Sequence, residues 1–147
     1  MARIERATVG YIVDGDTLRL TDGRRVRIVQ IDAPELETDC YGQQARRALI
    51  RLAPPGTVVA LEHDPALDAT DRYRRLLRYV TVGGRDVGIA LVAEGAAEPY
   101  FFHNDRGRHA GELLRAARRA RAERRGLWGA CPGARLAPTI GSVTGPA

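Results

Sequence analysis

Residues 7–31 read ATVGYIVDGDTLRLTDGRRVRIVQI, and this stretch decides the fold. In residues 7–13, Val9, Tyr11 and Val13 fall on one face, the alternation of a half-buried strand. Asp14-Gly15 is a strong hairpin-turn dipeptide. A second strand over 16–21 sets Leu18 and Leu20 together, and Asp22-Gly23 supplies another turn. The third strand, 24–31, carries Val26 and Ile28 on one face and Val29 and Ile31 on the other, as expected of a strand buried on both sides near its end.

Outward from this meander the period changes. Ala45, Ala48, Leu49, Leu52 and Ala53 recur at helical spacing, predicting a helix over 41–53 that Pro54-Pro55-Gly56 stops. Strands follow at 57–62 and 76–82, separated by a polar loop, and Gly83-Gly84 closes the second. A short helix over Val87–Glu94 has Asp86 as N-cap and Gly95 just past its end. Residues 96–102 read as extended and aromatic. A last helix over 105–125 buries Ala110, Leu113, Leu114, Ala117 and Ala120, with Asn104 as cap and Gly126 as terminator. Residues 130–147 are rich in Pro, Gly and Ala and are expected to be a mostly disordered tail behind a domain at 1–129. The class is α+β, with five short strands that close on themselves to hide their edges.

Composition agrees with one globular domain: 147 residues, 28% charged and 44% hydrophobic. Net charge is +5 and the sequence pI about 9.9, which favours polyanionic partners through counterion release. All 23 basic residues are Arg, a bias read here as GC-rich coding, although the planar guanidinium suits phosphate well. No apolar run approaches the length of a membrane span, and Met1–Arg6 has no apolar leader character. Cys40 and Cys131 have no metal-type spacing, leaving either one disulfide or two thiols. The helix at 105–125 concentrates eight Arg against three acids, either a solvated face or a secondary phosphate-binding surface.

Three clusters carry chemistry: Asp14-Gly15-Asp16-Thr17, the run from Arg27 through Asp32 to Glu35, and Thr70 to Leu77. Singly, each has a bland explanation as a turn, a strand exit or a polar loop. Together they are more specific. Asp16 begins strand two and Asp32 ends strand three, so a hairpin through Asp22-Gly23 with a bulge or stagger brings the two carboxylates level. Two carboxylates, a backbone carbonyl and water form an oxygen set suited to Ca²⁺.

Strand–Asp-Gly-Asp-Thr, then Arg27-x4-Asp32-x-Pro34-Glu35, then Thr70-Asp-x-Tyr73-x-Arg75, closely resembles the staphylococcal-nuclease-like (thermonuclease) family. The similarity covers roughly residues 7–129 and takes in Gly126-Leu127-Trp128. The resemblance implies a five-stranded OB-type barrel with about three helices and a Ca²⁺-dependent nuclease giving 3′-phosphate ends on DNA or RNA. It implies Asp16, Asp32 and the carbonyl of Ala33 as metal ligands. Glu35 would be general base, and Arg27 and Arg75 would hold the scissile phosphate. Tyr73, with Phe101 or Tyr100, would meet the substrate bases. Arg74 stands where the family commonly has Gly, so a positive φ is implied there; Arg74 then either displaces Arg75 or offers a second phosphate contact. Cys-Tyr-Gly at Cys40 and Leu-Trp-Gly-x-Cys at Cys131 resemble secreted members, implying a Cys40–Cys131 disulfide and an extracytoplasmic location, with a cytoplasmic one as the alternative. The rival function is a catalytically silent OB-type nucleic-acid-binding module. A monomer is the expected state, since no exposed apolar stripe is evident.

Overall fold

Local backbone choices set the strand ends. In this computed structural model residues 4–147 are described; the first three residues of the Met1–Arg6 reading lie outside the described residues. β1 (Ile4–Ile12) pairs antiparallel with β2 (Thr17–Leu20), and β2 with β3 (Arg25–Ile28) in the register Thr17↔Arg27, Leu18↔Val26. Gly23 at the β2–β3 tip has φ 92°, a conformation open to Gly at no steric cost. The register of β1 slips between Val9 and Tyr11, so Val9 and Ile12 face the core while Tyr11 is exposed. The single face expected of Val9, Tyr11 and Val13 is therefore broken by a bulge, which reverses the alternation beyond Gly10.

The third strand is shorter than its hydrophobic run. Gln30 adopts φ 70° and ends it, and the chain resumes as β4 (Ile31–Asp32) in a different pairing. That break lets Val26, Ile28 and Ile31 all enter the core, which a continuous strand with alternating faces could not do.

After α1 (Gly42–Leu52) come β5 (Val58–Glu62), β6 (Leu76–Val82) and β7 (Arg85–Asp86). The sheet runs β3-β2-β1-β5-β6, and β6 returns to β3 in parallel, Val26↔Leu76 and Arg27↔Leu77, closing a five-stranded mixed barrel of OB type. Closure removes the exposed edges that five short strands would otherwise leave. Leu18, Val26, Leu61 and Val80 fill the interior; Leu49, Leu91 and Leu113 from the helices cap it.

α2 (Val87–Ala93) starts where the sequence placed it: Asp86 accepts a 2.8 Å bond from Ile89 N–H, and Gly95 ends the helix with φ 73°. β8 (Glu98–Pro99) pairs with β4. α3 spans Ala110–Ala122, starting later than position 105, and His109 rather than Asn104 occupies its N-cap. The cause is a competing set of bonds. Gly107 N–H donates to Gln30 Oε1 at 2.7 Å and Arg108 N–H to Asp64 at 3.0 Å, which holds 105–109 as a loop on the barrel.

The segment 130–147 departs most from expectation. Rather than a mostly disordered tail, it forms a hairpin of β9 (Arg135–Ala137) and β10 (Gly141–Val143). Phe101 N–H donates to Pro138 O at 2.7 Å, and Thr144 is buried. Its strands are three residues each, too short to show a period, and the carboxylates that bind it, Asp32 and Glu98, lie far away in sequence. Cys131, at its start, is bonded to Cys40 with Cα atoms 6.0 Å apart. Among the described residues no helix is long and apolar enough to cross a membrane.

The disulfide links positions 91 residues apart, so it restricts the unfolded chain strongly. Exchanging Cys40 and Cys131 together for Ser is expected to lower the unfolding free energy by about 2–5 kcal/mol in urea titrations under non-reducing conditions. A loss of under about 1 kcal/mol would mean that the crosslink restrains little.

Candidate active site

The turn from β1 to β2 is held by Asp14, whose Oδ1 accepts the Asp16 N–H at 3.0 Å. Gly15 in this turn has no positive φ. It is small because a Cβ would lie 2.7 Å from that of Ala33 and 2.8 Å from that of Ala45. Close packing of turn, β4 and α1 therefore drives Asp16 inward, to 5% exposure. The break at Gln30 delivers Asp32 to the same place, by a left-handed turn rather than the expected bulge or stagger.

Arg27 joins the two acids. Its Nη2 lies 3.3 Å from Asp16 Oδ2 and 3.0 Å from Asp32 Oδ1. Its Nη1 donates to the carbonyls of Ile28 and Ile31 at 2.6 and 2.7 Å. Asp16 Oδ2 also accepts Ala33 N–H at 2.8 Å, and Oδ1 accepts the Thr17 hydroxyl at 2.9 Å. Because both carboxylates touch one nitrogen, their oxygens are near enough to face a single small centre.

The charges are strained by burial. For Arg27, burial opposes the cation, but Asp16, Asp32, Asp14 and Asp71 outweigh it and hold the proton more firmly than usual. For Asp16, burial is likewise opposed by Arg27 and by bonds from Asp14, Ala33 and Thr17, leaving its carboxyl below the usual range. Asp14 is raised to about 7 by burial and by Asp16. Asp32 is raised to about 6, chiefly by burial, with Asp16 adding to it against Arg27. Excess acidic charge around one cation is the electrostatic signature of a site short of positive charge. Among the described residues, no three or more His, Cys, Asp or Glu side chains form a complete metal cage.

Arg75 enters from the loop before β6. Asp71 accepts its Nε at 2.7 Å and its backbone N–H at 3.0 Å, and its Nη1 reaches the Thr17 hydroxyl at 3.5 Å. Thr17 is the cross-strand partner of Arg27, so Arg75 stands beside the acid cluster. Arg74 adopts φ 64°, so the left-handed conformation is kept with Arg in place, and the Asp71 bonds keep Arg75 directed inward. Arg74 itself is exposed. Tyr73 is 51% exposed, with the Arg75 guanidinium 5.4 Å from its ring centroid.

Glu35 is exposed, in the loop after β4, and its backbone N–H donates to Asp39 at 2.8 Å. Tyr100 is half-buried and bonds through its N–H to Gln30 O at 2.9 Å, next to the break that aims Asp32. Phe101 corrects the expectation of a base-stacking ring: it is 0% exposed. The aromatic that faces solvent is its neighbour Phe102, 53% exposed, with His103 stacked on it at 4.0 Å. Sequence reading missed Phe102, the anchoring role of Asp71, and Glu98, which is fully buried as the β-partner of Asp32. Only a strand pairing between 31–32 and 98–99 would have revealed Glu98.

A family model described as Staphylococcal nuclease homologue matches residues 25–130. The chain belongs to the staphylococcal nuclease family. It is similar to Protein ParB of Escherichia coli, 40% identical over 136 residues, covering 84% of this chain and 72% of that protein. It is also similar to SPbeta prophage-derived endonuclease YokF of Bacillus subtilis (strain 168), 31% identical over 129 residues, covering 82% of this chain and 43% of that one. Endonuclease YncB of the same organism is 28% identical over 134 residues, covering 86% and 63%. The chain thus spans less than two thirds of the length of both endonucleases. The family match begins at the first residue of β3 and ends just before Cys131, so the Asp16 turn and the β9–β10 hairpin lie outside it.

Burial of the acids gives a pH signature. Asp14, Asp32 and Glu98 are raised to about 7, 6 and 8, Glu98 mainly by burial and further by Asp32. Unfolded carboxyls titrate near pH 4, so the folded chain holds protons that the unfolded chain has released. Stability contributed by these groups is full below about pH 4 and is lost as pH rises through the folded values. In chelator, the unfolding temperature is expected to fall between about pH 5 and pH 8; calorimetry showing a rise across that window would contradict the charge balance described.

Proposed function

We propose that this chain is a Ca²⁺-dependent phosphodiesterase that cleaves DNA, RNA or both and leaves 3′-phosphate ends. The observation that carries the reading is the meeting of Asp16 and Asp32 at one Arg27 nitrogen, beside an Arg75 anchored by Asp71. Membership of the nuclease family and the two relatives named as endonucleases support it. The donor chemistry fits a hard cation: two converging carboxylates, with the Ala33 carbonyl and water to complete an oxygen shell. Bound there, a divalent ion would offset negative charge that grows on the phosphate oxygens.

The chain's own residues supply the rest. Arg27 Nη2 lies between Asp16 and Asp32; were those carboxylates to hold a cation, it would be free to donate to a phosphate oxygen. Arg75 adds a second guanidinium, held by Asp71 at the orientation that reaches Thr17. Two such donors are worth more as charge develops than in the ground state, which is the condition for catalysis. Glu35 takes the proton of the attacking water as the water oxygen bonds to phosphorus, and the P–O5′ bond breaks with the departing 5′ oxygen taking a proton from solvent. Exposed Tyr73 offers a face to a base, a contact that tolerates any sequence. The disulfide favours an oxidising, extracytoplasmic setting, and the domain acts as a monomer.

Glu35→Gln is expected to lose at least about 100-fold in turnover with its unfolding curve unchanged. Plasmid degradation with Ca²⁺ and with chelator, followed by end-group analysis, checks this. Substrate binding without cleavage in the wild-type chain would instead indicate the silent OB-type module. Arg75→Ala is expected to abolish cleavage, while Arg74→Ala retains it within a few-fold; the reverse order would assign the phosphate contact to Arg74.

A further inference from the structure

The β9–β10 hairpin lies outside the stretch matched by the family, yet it ends on the acid cluster. Ser142 N–H donates to Asp32 Oδ2 at 2.8 Å, and Val143 N–H donates to Glu98 Oε2 at 2.9 Å. Gly141 has φ 107°, and a Cβ there would stand 2.5 Å from Asp32 Oδ2. The hairpin backbone is therefore pressed against the carboxylate as closely as glycine allows. Beyond it the chain runs along the loop that carries Glu35. Cys40 N–H donates to Gly145 O at 2.9 Å, Ala147 N–H donates to Thr38 O at 2.9 Å, and Asp39 bridges to Pro146. The disulfide ties the start of the segment to that loop as well.

We propose that the carboxy-terminal segment 131–147 is a positioning element of the active site, in which Ser142 N–H and the bare Gly141 backbone fix the Asp32 carboxylate for cation binding. This rests on the reading of Asp32 as a cation ligand. Ser142 takes Oδ2 and, while no cation is bound, Arg27 takes Oδ1, so the carboxylate cannot rotate away from the site before a cation arrives. A carboxylate has about four acceptor positions, so the Ser142 bond leaves room for a cation on the same group. Partners that orient a ligating carboxylate commonly govern metal affinity by about 10- to 100-fold. The Asp32 contact comes from backbone, so removing the Ser142 hydroxyl leaves it in place, while a proline there or a Cβ at 141 does not.

The test is calorimetric titration with Ca²⁺ alone of the full chain and four variants, Asp32→Asn, Gly141→Ala, Ser142→Pro and Ser142→Ala, each checked by thermal unfolding in chelator. The expected result is about a 10-fold or greater weakening for Gly141→Ala and Ser142→Pro, and wild-type affinity for Ser142→Ala. If Asp32→Asn loses binding while Gly141→Ala and Ser142→Pro keep it, the positioning role is overturned and the cation site stands. If Asp32→Asn binds as the wild type does, the cation reading itself falls and the proposal with it. Amide NMR of the unaltered chain guards against variants that do not fold. The Ser142 N–H resonance is expected to shift during Ca²⁺ titration, while that of Gly23 at the distant hairpin tip stays fixed. A stationary Ser142 signal under saturating Ca²⁺ would overturn the proposal.

Discussion

A guanidinium buried between two carboxylates is the interaction on which the site depends. Arg27 comes from the barrel wall, Asp16 from a turn packed under α1, and Asp32 from a strand that has left the barrel. Each is costly to bury alone. Together they are tolerable, since removing one partner from such a set costs about 3–5 kcal/mol. The balance is incomplete, because Asp14 and Asp71 add further negative charge around the same cation. A site with surplus acid and a polyanionic substrate needs additional positive charge before it can work. In the proposed function, divalent-cation binding, release of the Arg27 donor and phosphate capture would meet that need as one electrostatic event.

Much of this was legible from short-range sequence signals. Asp22-Gly23 fixed a hairpin, and its alternating neighbours set Leu18 opposite Val26 in the observed register. Asp86 and Gly95 bounded α2 because capping and positive φ are local requirements. The starting position of Asp16 on the second strand and the end position of Asp32 on the third pointed to one end of the sheet for the same reason: strand direction follows from the turn between them. What failed was long-range. The break at Gln30 is paid for by Ile31 reaching the core and by the Gln30 side chain bonding the 105–107 loop, neither of which appears in the neighbouring sequence. The start of α3 moved for the same reason. Phe101 is fully buried and its N–H donates to Pro138 O, a partner from a segment that gave no periodic signal.

The carboxy-terminal hairpin shows how little composition says about order when a segment is stapled and hydrogen-bonded to a preformed surface. Its few apolar residues could not support a core of their own. The Cys40–Cys131 bond and the carboxylates of Asp32 and Glu98 give it anchors that do not depend on hydrophobic burial. Glu98 is held deep beside Asp32, with one oxygen bonded to the hairpin and the other without a hydrogen-bond partner among the described residues. The hairpin thus buries acidic groups while giving Asp32 and Glu98 a backbone donor each, and burial pushes the Glu98 carboxyl up to about 8.

The central claim is that Asp16 and Asp32 serve one divalent ion, and diffraction from crystals grown with Ca²⁺ tests it most directly. The account predicts a single ion peak within about 2.3–2.6 Å of an oxygen from each of the two carboxylates, with the Arg27 Nη2 drawn away from them. A peak held by only one of the two, or none at saturating Ca²⁺ with Arg27 still bridging the pair, would contradict it.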